Sequence, residues 1–206
     1  MPVFFKDDRS ILFVHIPKTG GTTIERLFTA SGWKMALRNT NKSNPLLFPK
    51  LRLSFQHWQA SLLTELLNVS KFDLTFMMTR EPIARFRSEY TMRHTKNPTG
   101  ASAEVDAWAE KTLRTYAANP YHLDNHLRPQ SEFELPGSEI YRLEDGMEAM
   151  VADLNNRFDL GLAEKIPHAL NSTKRSGLSS SQVEISTGLE ARLRELYAED
   201  FRRYGY

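Results

Sequence analysis

The sequence predicts an α/β fold with a central, mostly parallel sheet flanked by helices. Two segments carry this prediction, because each passes from an apolar strand through a short loop into an amphipathic helix. They are ILFVHIPKTGGTTIERLF at 11–28 and DLTFMMTREPIARFRSEY at 73–90. A nearly uninterrupted apolar run is typical of a parallel strand covered on both faces. SEIYRLED at 138–145, followed by apolar residues at helical spacing, adds a third unit of the same kind.

Length and composition restrict the class of protein. The chain has 206 residues, of which 40% are hydrophobic, so we expect a single domain over 1–206 with one core. The 27 Lys and Arg residues nearly balance the 25 Asp and Glu residues, so no global field favours nucleic acid as a partner. Cysteine is absent, and we find neither a signal peptide nor an apolar run that could span a bilayer. These features predict a soluble, cytoplasmic protein.

Shorter elements are predicted between the first two units. Gly32 marks the end of the first helix, and residues 33–37 predict a short strand. In LRLSFQHW, at 51–58, apolar and polar residues alternate, which predicts a strand that ends near His57. We expect a short helix over 59–68.

The C-terminal half is predicted to contain more helix. Ser102 is a suitable N-cap for a helix whose apolar residues share one face. Ser181 with Glu184, and Thr187 with Glu190, have the spacing of a capping box, so two helix starts are expected there. The apolar residues that follow predict a final helix packed on the core.

The loop after the first strand has the composition of an anion site. Gly20 and Gly21 allow a ligand to approach the main chain closely. The first turn of the next helix offers unpaired N–H groups and a partial positive charge, which suit a phosphate or sulfate. The candidate binding residues are Pro17, Lys18, Thr19, Gly20, Gly21, Thr22 and Thr23.

The residue order in this loop argues against an ATP-binding loop of the Walker type. That loop places Lys after its second Gly, whereas Lys18 precedes Gly20. PKTGGTT after an apolar strand instead resembles the 5′-phosphosulfate loop of sulfotransferases, in particular the carbohydrate branch of heparan and chondroitin type. The resemblance implies a P-loop-like three-layer fold, 3′-phosphoadenosine 5′-phosphosulfate as donor and adenosine 3′,5′-bisphosphate as product. It also suggests a bacterial relative, since the membrane anchor and stem of Golgi sulfotransferases are not seen.

Two further segments extend the resemblance to the nucleotide. TREPIARFRSEY resembles the segment that binds the 3′-phosphate, and the matching residues are Arg80 and Ser88. Arg suits a bidentate grip on phosphate, although a surface salt bridge would also explain Arg80. The hydroxyl-rich, basic segment 171–184 resembles a loop that closes over the donor, with Lys174 and Arg175 as candidate contacts.

The acceptor side of the site is less defined by the sequence. NHLRPQ at 125–130 resembles a segment near the active cleft of chondroitin-type enzymes, which makes His126, Arg128 and Gln130 candidates for acceptor contact. An equal alternative is that they order a loop. A carbohydrate hydroxyl is favoured as acceptor by the resemblance alone, and a lipid-linked sugar or a small alcohol stays open.

The expected chemistry needs a cation at the leaving phosphate and a base for the acceptor hydroxyl. Lys18 would stabilise the charge that grows on the phosphate. His57 is the candidate base, because the carbohydrate branch has its catalytic His in a comparable segment, and Glu144 is the competing candidate. His15, within the first strand, is interpreted as a core histidine. No metal is expected, since the sequence has no Cys and no paired-His spacing.

Two other functions remain compatible with the sequence. A small-molecule or nucleotide kinase could use the same anion loop, and would require Mg²⁺. A binding module for a nucleotide or a sulfated glycan could keep the fold without the chemistry. Release of adenosine 3′,5′-bisphosphate in the presence of an acceptor would distinguish the enzyme from the module.

Overall fold

A computed structural model describes residues 1–37, 46, 50–96, 98–167 and 177–206. Its sheet has five strands in the order β3-β1-β2-β4-β5. The strands are β1 Val3–Lys6, β2 Arg9–Val14, β3 Lys34–Ala36, β4 Leu74–Thr79 and β5 Glu139–Arg142. β2, β4 and β5 are parallel, and β1 is antiparallel to both of its neighbours. Four strands therefore share one direction, which confirms the predicted mostly parallel sheet.

Seven α-helices are found among the described residues. They are α1 Gly21–Ala30, α2 Ala60–Leu66, α3 Pro82–Arg93, α4 Ser102–Ala118, α5 Met147–Phe158, α6 Thr187–Leu196 and α7 Ala198–Tyr204. No helix in this part of the chain is long and apolar enough to cross a membrane.

Alternate residues of the central strands supply two separate cores. On one face, Phe13 and Phe76 pack with α1 and α5. On the other, Leu12, Val14 and Met77 pack with α2 and α7. This period of two is the property that lets a buried strand serve both faces of a sheet. Helices therefore cover both faces, and a third cluster joins α3, α4 and α6.

The strand predicted at 51–58 is wrong. Phe55–His57 forms a turn of 3₁₀ helix, and the residues before it lie outside the sheet. The physical reason is that the carboxylate of Asp124 accepts the main-chain N–H of Ser54 at 2.6 Å and its hydroxyl at 2.7 Å. A strand would have donated such an N–H to a neighbouring strand.

Several boundaries near the C-terminus also differ from the prediction. The capping box is formed by Ser179 and Gln182, and α6 is capped by Ser186, which accepts from the N–H of Leu189. Neither predicted pair is used, because successive hydroxyl residues offer several caps at similar spacing. The final helix is divided at Tyr197, whose hydroxyl donates to the carbonyl of Leu127 at 2.9 Å. Ser102 is the first residue of α4 and does not cap it.

Candidate active site

The loop from β2 to α1 is a tight turn, and the hydroxyl of Thr19 stabilises it from within. Lys18 and Gly20 have left-handed φ angles of 71° and 88°. The φ angle of Gly20 is strained for any residue with a Cβ, so glycine is favoured there. Thr19 is fully buried, and its hydroxyl donates to the carbonyl of Ile16 at 2.9 Å. Pro17 is buried beside it.

The N-terminus of α1 retains unused donors. No side chain caps this helix. The N–H of Thr23 donates to the carbonyl of Gly20 at 2.9 Å, whereas those of Gly21 and Thr22 make no hydrogen bond to any residue that the structure describes. Two main-chain donors, the half-buried hydroxyls of Thr22 and Thr23 and the helix dipole are therefore available to an anion.

Lys18 and Arg80 lie beside each other past the carboxyl ends of two neighbouring strands, where open α/β sheets have their ligand crevice. β2 and β4 are parallel neighbours, so the loops at their carboxyl ends adjoin. Nη1 of Arg80 donates to the main-chain oxygen of Lys18 at 3.3 Å. Among the described residues no carboxylate lies within salt-bridge distance of the Arg80 guanidinium, so the salt bridge considered from the sequence is not found.

Ser88 lies on the stretch of α3 that borders this crevice. Ala84, Ser88 and Met92 are half-buried and four residues apart, so they share one face of the helix. Met92 marks the direction of that face, because its sulfur is 3.3 Å from Nζ of Lys18. The structure therefore brings together Lys18 and Arg80, which were predicted from separate segments, and Ser88 lies on the face of α3 that carries Met92.

Gln130 holds the main chain of Arg80 in place. Its side-chain oxygen accepts from the N–H of Arg80 at 2.9 Å, and its amide nitrogen donates to the carbonyl of Arg80 at 2.8 Å. Gln130 is fully buried, and its own N–H donates to Asp200 at 2.8 Å. The described contacts give Gln130 a positioning role, and its predicted contact with an acceptor stays a prediction.

His57 is fixed by a carboxylate that the sequence analysis did not single out. Nδ1 of His57 lies 2.7 Å from Oδ2 of Asp124. Asn125 donates from its side chain to the carbonyl of His57 at 2.8 Å. Leu123, Asp124 and Asn125 all have φ angles between 56° and 62°, a conformation that costs non-glycine residues about 1 kcal/mol or more each. Such strain persists only where the surroundings hold it in place, as they do here around His57.

Burial sets the charge state of this pair. Withdrawal from water lowers the pKa of His57 to about 3, although the hydrogen bond to Asp124 opposes the shift. Burial acts to raise the pKa of Asp124, but hydrogen bonds from His57 and Ser54 outweigh it and lower that pKa to about 2. At neutral pH the imidazole is therefore neutral and donates Nδ1–H to the ionised carboxylate. Nε2 then carries the lone pair that a general base requires.

The neutral state of His57 predicts a loss of stability in mild acid. Its ordinary pKa is 6.5, so below that value the unfolded chain binds a proton that the folded protein does not. The free energy of unfolding should fall by about 2 kcal/mol from pH 7 to pH 5 through this residue alone. Asp124 contributes almost no change in this range. Its carboxylate is ionised in both the folded and the unfolded protein above pH 5, and its lowered pKa affects stability only near and below the ordinary pKa of 3.8.

Urea unfolding of the wild type and of His57→Gln at both pH values measures this effect. The wild type should lose about 2 kcal/mol more than the variant on going to pH 5. His15 and His126, which face His57, are present in both proteins and cancel in the difference. Equal losses would mean that His57 is not held neutral.

Three histidines form a row through the site, and each has its own carboxylate. The ring centroids of His15 and His57 are 5.3 Å apart, and those of His57 and His126 are 4.9 Å apart. Nδ1 of His126 lies 2.5 Å from the buried Glu89. One ligand atom each from His57, Asp124 and His126 lies within 4.8 Å of the others, a set that could hold a metal ion. The expectation that no metal is needed stays a prediction.

The site thus combines a helix-terminal anion cradle, two cations from adjacent strand ends and a neutral imidazole on a carboxylate. In a comparison with protein families, a model described as the sulfotransferase family matches residues 1–206. The chain belongs to the sulfotransferase family. No curated protein and no solved structure matched it. The family is an enzyme family, generally uses 3′-phosphoadenosine 5′-phosphosulfate as donor and is consistent with a P-loop-like fold. Sulfuryl transfer is therefore favoured over the kinase and the binding module.

In this sulfotransferase, two of the predicted acceptor residues, His126 and Arg128, lie close to His57 or to the segment that holds it. His126 contacts it directly. Arg128 is buried, donates from Nε to the side chain of Asn125 at 3.0 Å and pairs with Glu132, so it orders the segment that carries Asp124.

Glu144, the competing candidate base, lies beside Arg80. Glu144 accepts from the N–H of Glu81 at 2.9 Å and from the hydroxyl of Tyr206 at 3.0 Å. These bonds tie Glu144 to the start of α3, beside Arg80. Lys174 and Arg175 lie outside the described residues.

Proposed function

We propose that this sulfotransferase transfers a sulfuryl group from 3′-phosphoadenosine 5′-phosphosulfate to an acceptor hydroxyl on a carbohydrate. The observation that carries the proposal is the contact between Arg80 and Lys18. It supports one crevice with an anion cradle at one side. At the other side is the Arg80 guanidinium, which has no carboxylate within salt-bridge distance among the described residues. A nucleoside with phosphate groups at both its 5′ and 3′ positions has charges placed to meet both.

Within this proposal, the residues near α1 serve the leaving group. The N–H groups of Gly21 and Thr22 and the threonine hydroxyls hold the oxygens of the 5′-phosphosulfate. Lys18 neutralises the charge that grows on the 5′-phosphate as its oxygen separates from sulfur. Arg80 and Ser88 hold the 3′-phosphate, and Gln130 fixes the position of Arg80.

His57 serves the nucleophile. Its Nε2 accepts the proton of the acceptor hydroxyl while that oxygen forms the new bond to sulfur and the bond from sulfur to the phosphate oxygen breaks. Asp124 keeps the tautomer correct and stabilises the imidazolium that results. The products are the sulfated acceptor and adenosine 3′,5′-bisphosphate, and the proton leaves His57 for water. His126 is placed to contact the acceptor.

The donor assignment can be tested before an acceptor is known. Calorimetric titration should show tighter binding of adenosine 3′,5′-bisphosphate than of adenosine 5′-phosphate. Arg80→Gln should weaken binding of the bisphosphate by about 10- to 100-fold, because charge-assisted hydrogen bonds contribute about 1.5–3 kcal/mol each. Binding of the monophosphate should change little.

Arg26→Gln, on the exposed side of α1, is the matched control and should bind both nucleotides normally. Equal affinity of the wild type for the two nucleotides would contradict the proposed donor. An unchanged preference in Arg80→Gln would assign the 3′-phosphate to other residues.

A further inference from the structure

A buried carboxylate on α1 has no role in the mechanism described so far. Glu25 lies one helical turn after Gly21, on the helix whose N-terminus forms the anion cradle, and is only 3% exposed. Burial of a carboxylate is costly unless polar partners satisfy it. A leucine or methionine would pack against the sheet without that cost, so the contacts of Glu25 require an explanation.

The contacts of Glu25 lead to the turn that carries His57. Its Oε1 accepts a hydrogen bond from Nε2 of Gln56 at 3.1 Å. Gln56 directly precedes His57 in the 3₁₀ turn. The same Oε1 lies 2.9 Å from Nδ1 of His15, although the angle is not that of a hydrogen bond. A single carboxylate oxygen therefore connects α1 to His15, which follows β2, and to the 3₁₀ turn that contains His57.

His15 provides a second link between the same two elements. Its ring meets that of His57 edge-on, with centroids 5.3 Å apart. On its other side, a Cβ on Gly21 would lie 2.1 Å from Nε2 of His15, so only glycine lets the start of α1 approach this imidazole. His15 is thus enclosed between the anion cradle and His57. It is a buried histidine, as expected from the sequence, but it packs within the site.

We propose that Glu25 is a positioning residue that sets the distance between the donor and His57. It acts through Gln56 and His15, and it does not contact the reacting atoms. In-line transfer requires the acceptor oxygen, sulfur and leaving oxygen to be aligned, and a displacement of about 1 Å can lower the rate about 100-fold. The cradle and the base lie on segments that are distant in sequence, so a connection between them is needed to keep this alignment. This inference rests on the proposed function.

Variants that break the link without removing a catalytic group test the inference. Glu25→Met and Gln56→Met keep the approximate size of the side chain and remove the hydrogen bond. With 3′-phosphoadenosine 5′-phosphosulfate and an acceptor from a panel of sugars and small alcohols, each should lower kcat by about 10- to 100-fold. The Kd for adenosine 3′,5′-bisphosphate should stay within about threefold of wild type, since the cradle is intact. The double variant should be no slower than the slower single variant, because both break one link.

Two matched variants separate this role from others. Glu25→Gln keeps an acceptor oxygen for Gln56 and should retain most of the activity. Glu65→Gln, which alters an exposed carboxylate on α2, should behave as wild type. Loss of activity in Glu25→Gln equal to that in Glu25→Met would show that the carboxylate acts by its charge, and would overturn the proposed link. Loss of bisphosphate affinity in parallel with kcat would also overturn it, because the cradle itself would then be damaged.

Hydrogen exchange provides a readout that does not depend on turnover. The N–H of His57 donates to the carbonyl of Ser54 at 3.1 Å within the turn. In the free protein, Glu25→Met and Gln56→Met should speed exchange of this amide at least about tenfold relative to Glu65→Gln. Unchanged exchange would overturn the inference even if the protein has no sulfotransferase activity. If the wild type shows no sulfuryl transfer and the two variants still exchange faster, the proposed function is refuted and the link through Glu25 is retained.

Discussion

Replacement of His57 by Ala is expected to lower kcat by about 1,000-fold, because proton transfer by a positioned base contributes about 10²–10⁴-fold. The structure strengthens this expectation through Asp124, which accepts from Nδ1 of His57 and leaves Nε2 as the basic atom. The affinity for adenosine 3′,5′-bisphosphate should change little, because His15 lies between the ring of His57 and the start of α1.

The measurement is release of adenosine 3′,5′-bisphosphate from the donor in the presence of an acceptor. His122→Ala serves as control, since His122 lies outside the row of His15, His57 and His126, and it should turn over normally. Near-normal turnover of His57→Ala would remove His57 from the mechanism. Glu144 would then be the base to test next.

Replacement of Lys18 by Met should lower kcat by about 100- to 1,000-fold, the range found when one group that stabilises developing charge is removed. Lys18 lies in the loop after β2, and its ammonium is 3.3 Å from the sulfur of Met92 on α3. In that position it borders both the α1 cradle and the crevice that contains Arg80. Its charge matters most when the phosphate leaves, so kcat should fall more than the affinity for the bisphosphate product.

Lys71→Met, at an exposed position in the turn before β4, controls for the loss of a positive charge. It should leave kcat within about twofold of wild type. A fall in bisphosphate affinity as large as the fall in kcat would assign Lys18 to ground-state binding. An unchanged kcat would exclude it from the transition state.

His57→Ala and Lys18→Met are each expected to lose activity, but for different physical reasons. His57 acts on the nucleophile, whereas Lys18 acts on the leaving group. If the transfer is a single in-line step, both losses appear in kcat and neither requires a change in donor specificity. Arg80→Gln should give the complementary result, a loss of preference for the 3′-phosphate.

Features built from consecutive residues were predicted well. The strand, loop and helix at 11–28 and at 73–90 are both present, because apolar runs, glycines and helical spacing act over short distances. The 3₁₀ turn at 55–57 was missed, since its alternating pattern is also that of a strand. The hydrogen bond from the N–H of Ser54 to the carboxylate of Asp124, which spans 70 residues of sequence, decided between turn and strand.

The site residues also divide into those that local motifs predicted and those that only the structure revealed. Lys18, Arg80, Ser88 and His57 were chosen from local motifs, and their roles stay predictions. In the structure Arg80 donates to Lys18, and Lys18 contacts Met92 on the face of α3 that carries Ser88. Asp124 and Glu25 were not chosen. Asp124 had one weak signal, an Asp-Asn pair of the kind that tolerates left-handed backbone, and Glu25 had none, because a single acidic residue on a helix usually faces solvent.

The sequence by itself determined the strand-loop-helix units at 11–28 and 73–90, the composition of the anion loop and the identity of its cation. Those properties depend on neighbouring residues, whose spacing is fixed by covalent geometry. Only the tertiary structure decided which carboxylate orients His57 and which connects it to the donor helix, because these pairs are 67 and 31 residues apart along the chain. Their proximity results from packing two distant segments against one sheet, and no local pattern encodes it.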